Sequence, residues 1–161
     1  MSIKQMIVKC QSGLNITVFV RNVQNWLYEK LFRRALVMKL FFDTDFTGLH
    51  KDTTLISIGS VSEDGKSFYA EFTDYKKQQC DDWIKKNVIA NLKYFSDRWY
   101  YESESKVRVK DDKSTIGMCL MNWLSQFDTI EFVSDVCHYD FVLLIDLFCS
   151  VCNYTKNDRS L

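Results

Sequence analysis

Three aspartates in this sequence have the spacing expected of a metal-binding group. Asp43 and Asp45 are separated by a single residue, near the end of an apolar run, Met38–Leu49. Because alternate side chains of a strand point the same way, both carboxylates share one direction at the carboxyl end of this strand. Asp140 falls in the first turn of a later predicted helix and can converge on them. Carboxylates this close repel each other unless a cation lies between them, and oxygen ligands suit Mg²⁺ or Mn²⁺.

Such a group of carboxylates suits the two-metal hydrolysis of a phosphodiester. Two divalent ions about 3.5–4 Å apart activate a water and stabilise the leaving oxygen. Asp135 is a further carboxylate, but its distance from Asp140 along the chain does not require both to face the same way. No motif places His50 or His138 in the site. A polar strand end with two solvated aspartates is the alternative at this point.

The elements that would position these residues follow from the hydrophobic pattern. Met38–Leu49 is typical of a strand buried on both faces. Two further strands, Thr54–Val61 and Ser67–Thr73, are joined by a short turn, so the pattern predicts an antiparallel meander. Later elements are a helix over Asp74–Leu92, a helix from an N-cap at Ser114 to Phe127, a strand over Thr129–Ser134 and a buried helix over Asp135–Val151. The order predicts an α/β fold in which helix crossovers add parallel strands to the meander.

Tyr94–Lys113 is the least regular part of the pattern. It is polar and has no clear period, so we expect a loop with a few anchoring rings. It also carries three neighbouring aromatic residues, Trp99–Tyr101, followed by the alternating cations of Lys106–Lys110. Aromatic rings beside cations can stack bases and hold phosphates, which is the alternative interpretation.

Composition and charge exclude several classes of protein. With 161 residues, 47% of them apolar, the chain suits one globular domain with a sizeable core. No stretch is apolar for long enough to span a membrane, and no membrane partner is expected. The formal net charge is zero, so a strong general attraction to nucleic acid is not expected. The six cysteines are scattered, without framework spacing or a signal peptide ahead of them, which indicates reduced thiols in a cytoplasmic protein.

Residues 1–37 differ from the remainder in charge. They carry a net charge of +5, and residues 38–161 therefore carry −5. Ile16–Val20 is predicted as a short strand and Val23–Leu36 as an amphipathic helix. We interpret the segment as a basic N-terminal extension whose helix docks with a solvated basic face. Phosphate or membrane-surface binding is the alternative.

Two protein families have a first sequence motif similar to Asp43–Thr47. It resembles the D-x-D-x-T motif of haloacid-dehalogenase-type phosphatases, in which the first Asp is a nucleophile and the second a general acid. In that family the motif leads into a loop and a helix or cap, whereas two more strands are predicted here. The later lysine and acidic-pair motifs are also not evident. The phosphatase is therefore the second alternative.

The other resemblance is to the DEDD (DnaQ-like) 3′–5′ exonucleases of the RNase H-like fold. Within them, the chain is similar to the small bacterial and phage 3′–5′ exoribonuclease-like family. The blocks that carry the resemblance are FDTDFTGL at Phe42–Leu49, TLISIG at Thr54–Gly59, EDGKSFYAEF at Glu63–Phe72, and Tyr139-Asp140. They occur in the family's order and extend over about residues 38–150, so residues 38–161 are predicted to form an exonuclease-like domain.

The resemblance implies two-metal hydrolysis of RNA or single-stranded DNA from the 3′ end. Asp43 would bridge two Mg²⁺ or Mn²⁺ ions, Asp45 would hold the ion that bears the nucleophilic water, and Asp140 would hold the second. The 3′-terminal nucleotide would be seated by Phe46, Thr47, Gly48 and Leu49. The sequence leaves open whether the chain forms a homodimer.

The chain departs from the family's pattern in three ways. Asp45 stands where the family has Glu, one methylene longer. No H-x₄-D or Y-x₃-D follows Asp140, so the last block, with a general-base His and a fourth carboxylate, is absent and the fold is expected to be C-terminally incomplete. The family does not explain residues 1–37. The alternative is therefore a catalytically inactive module that binds nucleic acid or a protein.

Overall fold

A computed structural model of the protein describes residues 5–10, 15–19, 37–94, 96, 98–135 and 137–157. The strands in these residues are β1 (Gln5–Cys10), β2 (Asn15–Phe19), β3 (Val37–Phe46), β4 (Leu55–Ser62), β5 (Ser67–Phe72), β6 (Trp99–Glu102), β7 (Lys106–Asp111) and β8 (Thr129–Ser134). The α-helices are α1 (Asp82–Asn87), α2 (Lys113–Leu124) and α3 (Cys137–Asn157), with 3₁₀ turns at Lys77–Gln79 and Ile89–Asn91. None of the described helices is long and apolar enough to cross a membrane.

These strands form one mixed sheet in the order β2-β1-β8-β3-β4-β5-β7-β6. Strands β3, β4 and β5 form the predicted antiparallel meander. Strands β8 and β7 pair in parallel with β3 and β5, respectively, and α2 leads from β7 into β8. The predicted α/β class is therefore confirmed, and the crossover through α2 places β8 directly beside β3.

The N-terminal residues that the structure describes belong to the same sheet. Strand β2 matches the predicted strand Ile16–Val20 up to Phe19. Strand β1 was not predicted, and it pairs in parallel with β8 on the side away from β3. The predicted helix Val23–Leu36 lies outside the described residues. The division of the chain at residue 37 stays a prediction.

Strand β3 is buried on one face only, which corrects the prediction of a strand buried on both. Leu40 and Phe42 point into the core formed with α2 and α3, where Leu120 and Leu147 are fully buried. Phe41, on the opposite face, is 49% exposed. The reason is that both of these helices pack on the same side of the meander, which a run of apolar residues cannot reveal.

Four further predictions about elements were wrong in detail. The last helix extends over Cys137–Asn157 rather than Asp135–Val151, and the other three concern two helices and a loop. The predicted helix Asp74–Leu92 is divided into α1 and two 3₁₀ turns, because the Asp81 carboxylate accepts a hydrogen bond from the Ile84 N–H and starts a new helix there. The N-cap of α2 is Asp112 rather than Ser114, with its carboxylate 2.9 Å from the Thr115 nitrogen, and the helix ends at Leu124.

The predicted loop Tyr94–Lys113 contains the hairpin β6–β7. Val107 and Val109 are buried, whereas Lys106 is exposed and Arg108 and Lys110 are half-buried. This alternation is the period of a strand with one face in the core. The cations obscured it in the sequence, since their aliphatic stems can cover a sheet while their charges reach solvent.

Candidate metal centre

Three carboxylates meet at the carboxyl ends of two adjacent parallel strands. Asp43 lies near the end of β3, Asp135 directly follows β8, and Asp140 lies in the first turn of α3. Each of the three offers a carboxylate oxygen, and these oxygens lie within 4.8 Å of one another. The parallel pairing of β3 with β8 produces this arrangement, because it brings the ends of both strands to the same edge.

Asp140 is held in a fixed orientation. It is only 1% exposed, and the Thr44 hydroxyl donates to its Oδ1 at 2.5 Å. The Ser134 hydroxyl donates to its Oδ2. A carboxylate whose two oxygens are oriented by hydroxyl groups is typical of a ligand supported by its surroundings. The amino end of α3 adds a favourable field for its negative charge.

The surroundings of Asp43 disfavour the ionised form of its carboxyl group. Burial raises its pKa, and the neighbouring charges of Asp140, Asp45 and Asp135 raise it further, while a hydrogen bond from the Thr44 backbone opposes the shift. A divalent cation among the carboxylates would remove this repulsion. The oxygen-only donor set fits Mg²⁺ or Mn²⁺.

Replacing Asp43 with asparagine is expected to stabilise the metal-free protein at neutral pH. Because folding raises the pKa of Asp43, its ionised form costs stability above that pKa, and the cost disappears when the carboxyl is protonated. In EDTA, Asp43→Asn should melt above the wild type at pH 7, and the difference should shrink as the pH falls through the carboxyl range. Thermal melting across pH checks this. A melting temperature below that of the wild type at pH 7, or a difference independent of pH, would contradict it.

Asp45 lies outside this group of three, although it is close enough to raise the pKa of Asp43. Its Oδ2 accepts a hydrogen bond from the Ser57 hydroxyl at 2.6 Å. The pairing of β3 with β4 shifts register between Asp45 and Phe46, so the strand bends where the predicted motif continues. The structure thus brings Asp43 and Asp140 together, adds Asp135, and turns the Asp45 carboxylate towards β4.

The four residues predicted to seat a nucleotide differ in their exposure. Phe46 is half-buried and stacks on Tyr139 with ring centroids 5.3 Å apart. Thr47 is fully buried, and its hydroxyl donates to Gln79 Oε1 at 2.7 Å. Gly48 has a φ of +148°, which disfavours a side chain there, and Leu49 is 75% exposed. Thr47 therefore holds the loop, while Leu49 is exposed to solvent.

Within the part of the chain that the structure describes, no histidine lies in the candidate metal-binding group of Asp43, Asp135 and Asp140. His50 and His138 are both exposed, and the His50 ring lies over Gly48, 3.1 Å from where a β-carbon would stand. Asp135 is the member that the sequence left open. The signal in the sequence was its position immediately after the predicted strand Thr129–Ser134, since the carboxyl ends of strands in α/β sheets often carry functional groups.

Comparison with known proteins finds a partial match. No family model matches the chain. A stretch of 55 residues, 34% of this chain, is 36% identical to the 3′–5′ exoribonuclease Rv2179c of Mycobacterium tuberculosis strain ATCC 25618 / H37Rv. The 3′–5′ exoribonuclease MT2234.1 of strain CDC 1551 / Oshkosh matches to the same extent. The matched stretch spans 33% of the length of each relative. The chain is thus similar to about a third of these exoribonucleases.

Proposed function

We propose that the chain is a metal-dependent 3′–5′ exonuclease of the DEDD type that hydrolyses RNA in the cytoplasm. The observation that carries the proposal is the convergence of Asp43, Asp135 and Asp140 at one edge of the sheet. The similarity to part of two proteins named 3′–5′ exoribonucleases supports it. The proposed fold is RNase H-like, supported by a meander whose first strand is flanked by a parallel strand ending at the same site.

The proposed ligands of Mg²⁺ or Mn²⁺ are Asp43, Asp135 and Asp140. When bound, such ions activate a water and neutralise charge on the phosphate. Asp140 contributes a carboxylate that the Thr44 and Ser134 hydroxyls hold in place, so it needs no reorganisation. Asp43 contributes the carboxylate at the exposed end of the group, which a substrate can approach. Asp45 lies outside this group, and its Oδ2 accepts a hydrogen bond from the Ser57 hydroxyl.

The alternative is a module that binds RNA without turnover. The observation that supports this alternative is that Asp45, which stands where the family has Glu, lies outside the three-carboxylate group. The phosphatase is not favoured, because the antiparallel pair β4–β5 follows the motif where that family has a loop and a helix or cap.

Mn²⁺-dependent trimming of a 3′-labelled single-stranded RNA tests the proposal. The wild type should release mononucleotides from the 3′ end, and Asp43→Asn should abolish the release. Asp82→Asn is the matched control, since Asp82 is exposed on α1 and pairs only with Lys85 among the contacts described. Binding without trimming would establish the inactive module instead. Trimming that is equal in the wild type and in Asp43→Asn would refute the proposed site.

A further inference from the structure

A row of cross-strand neighbours leads away from the carboxylate group across the sheet. Asp43 on β3 is opposite Gly59 on β4, and Gly59 is opposite Tyr69 on β5. Tyr69 is in turn opposite Arg108 on β7, which is opposite Tyr101 on β6. Residues directly opposite each other point to the same side of a sheet. With strands about 4.8 Å apart, the row extends roughly 14 Å from Asp43 to Arg108.

A groove of about 500 Å³ follows this row on the face that α2 and α3 leave open. Its lining includes Asp43 and Asp135 at one end and Lys93 and Arg108 at the other. Gly59 forms the floor between them. A β-carbon at Gly59 would contact only the Tyr69 ring, at 4.0 Å, so the floor is open because no side chain occupies it.

The two ends of the groove carry opposite charge. Lys93 is exposed, and its Nζ lies 4.9 Å from the centroid of the Tyr69 ring. Arg108 is held by Ser67, with Nη1 3.1 Å from the carbonyl oxygen and Nη2 3.0 Å from Oγ. A polyanion would therefore be attracted at the cationic end. At the other end only a bound cation would make the carboxylates compatible with a phosphate.

Aromatic rings border the cationic end of the groove. Tyr94 stacks on Trp99 with centroids 4.2 Å apart, and Trp99 stacks on Tyr101 at 6.0 Å. The segment before them is fixed in place, because the backbone N–H groups of Lys93 and Tyr94 donate to the buried Glu71 carboxylate at 2.5 and 3.3 Å. Aromatic rings beside cations can stack unpaired bases and hold their phosphates, and rings that are already held by stacking lose little freedom on binding.

We propose that this row is a binding groove for a single-stranded nucleic acid. Phosphates upstream of the 3′ end lie against Lys93 and Arg108, a base lies against Tyr69, and the strand passes over Gly59 to the carboxylates. The placement of the 3′ end rests on the proposed function. The upstream contacts rest on the charge, the aromatic rings and the open floor of the groove.

Fluorescence anisotropy in Mn²⁺ with a labelled, hydrolysis-resistant phosphorothioate oligouridylate tests the groove separately from catalysis, because the cation neutralises the carboxylates while the strand is not cut. Gly59→Val puts a side chain into the floor without a positive φ to oppose it and with a residue that strands favour. It should keep the melting temperature and weaken binding at least tenfold. Lys93→Gln should weaken binding several-fold and flatten the dependence of log K on log salt by about 0.7. Lys86→Gln, the same charge change on α1, should bind like the wild type.

The outcomes separate this proposal from the proposed function. If Gly59→Val and Lys93→Gln fold normally and bind the oligonucleotide like the wild type, the groove is overturned, whatever the trimming assay shows. If both variants lose affinity but the wild type trims nothing, the groove stands and the exonuclease does not. Oligothymidylate, as a second arm, should bind comparably if the phosphates dominate, and more weakly if the RNA 2′-hydroxyl contributes. A blunt duplex that binds equally well would contradict a single-stranded groove.

Discussion

Asp140→Asn is expected to reduce the proposed Mn²⁺-dependent trimming of RNA by about 10³-fold, because it removes the charge of a proposed metal ligand, worth several kcal/mol in the transition state. Asparagine has nearly the same shape, so the packing around α3 should persist. Its amide group, however, would face the hydroxyl of Ser134 or Thr44, both of which now donate to a carboxylate oxygen. Single-turnover trimming rates, with melting temperatures measured in parallel, check the expectation. A variant that trims at the wild-type rate would exclude Asp140 from the site.

The orientation of Asp140 can be tested apart from its charge. Thr44→Val removes the hydroxyl that donates to Oδ1 and keeps the shape of the side chain, and it should weaken Mn²⁺ binding by about 10–100-fold. Thr44→Ser keeps the hydroxyl and is the matched control. Titration of Mn²⁺ by thermal shift measures both variants. Equal Mn²⁺ affinity in both would show that the hydrogen bond does not support the site.

Lys110→Met is expected to reduce the free energy of unfolding by about 3–5 kcal/mol, since it removes the ammonium group that pairs with the buried Glu71 carboxylate. Glu71 is fully buried, and its Oε2 lies 3.6 Å from the Lys110 Nζ. The ammonium group also donates to the Tyr94 carbonyl oxygen. Denaturant unfolding gives the measurement. Lys106→Met on the same strand is the matched control, because Lys106 is exposed and should cost within about 0.5 kcal/mol.

The double variant Glu71→Gln with Lys110→Met separates charge from packing. Removing both charges should cost less than Lys110→Met alone, since no uncompensated ion remains. The double variant also tests the role of Glu71 in the proposed binding groove. The Lys93 and Tyr94 backbone N–H groups each donate to a different oxygen of Glu71, and Glu71→Gln leaves one of these oxygens, so the double variant should bind the oligonucleotide more weakly. A Lys110→Met protein as stable as Lys106→Met would show that the pair contributes nothing to the fold.

The sequence by itself determined the local features of this protein. The spacing of Asp43 and Asp45 after an apolar run identified the end of β3, and the short turn between the strands predicted at Thr54–Val61 and Ser67–Thr73 identified the hairpin that follows. The strand Thr129–Ser134 was predicted with the bounds that the structure gives it. These features depend on the period of side chains and on turn residues within a few positions of each other, so a single stretch contains all the information.

Only the tertiary structure decided which of these residues meet. Asp135 joins Asp43 because β8 pairs in parallel with β3, while the Asp45 carboxylate bonds to Ser57 where the register shifts. The face of the sheet that α2 and α3 leave uncovered depends on the side on which these two helices pack. The row from Asp43 to Arg108 depends on the register of three strand pairs, β3–β4, β4–β5 and β5–β7. Both are set by contacts between residues far apart in the chain, and no local pattern contains them.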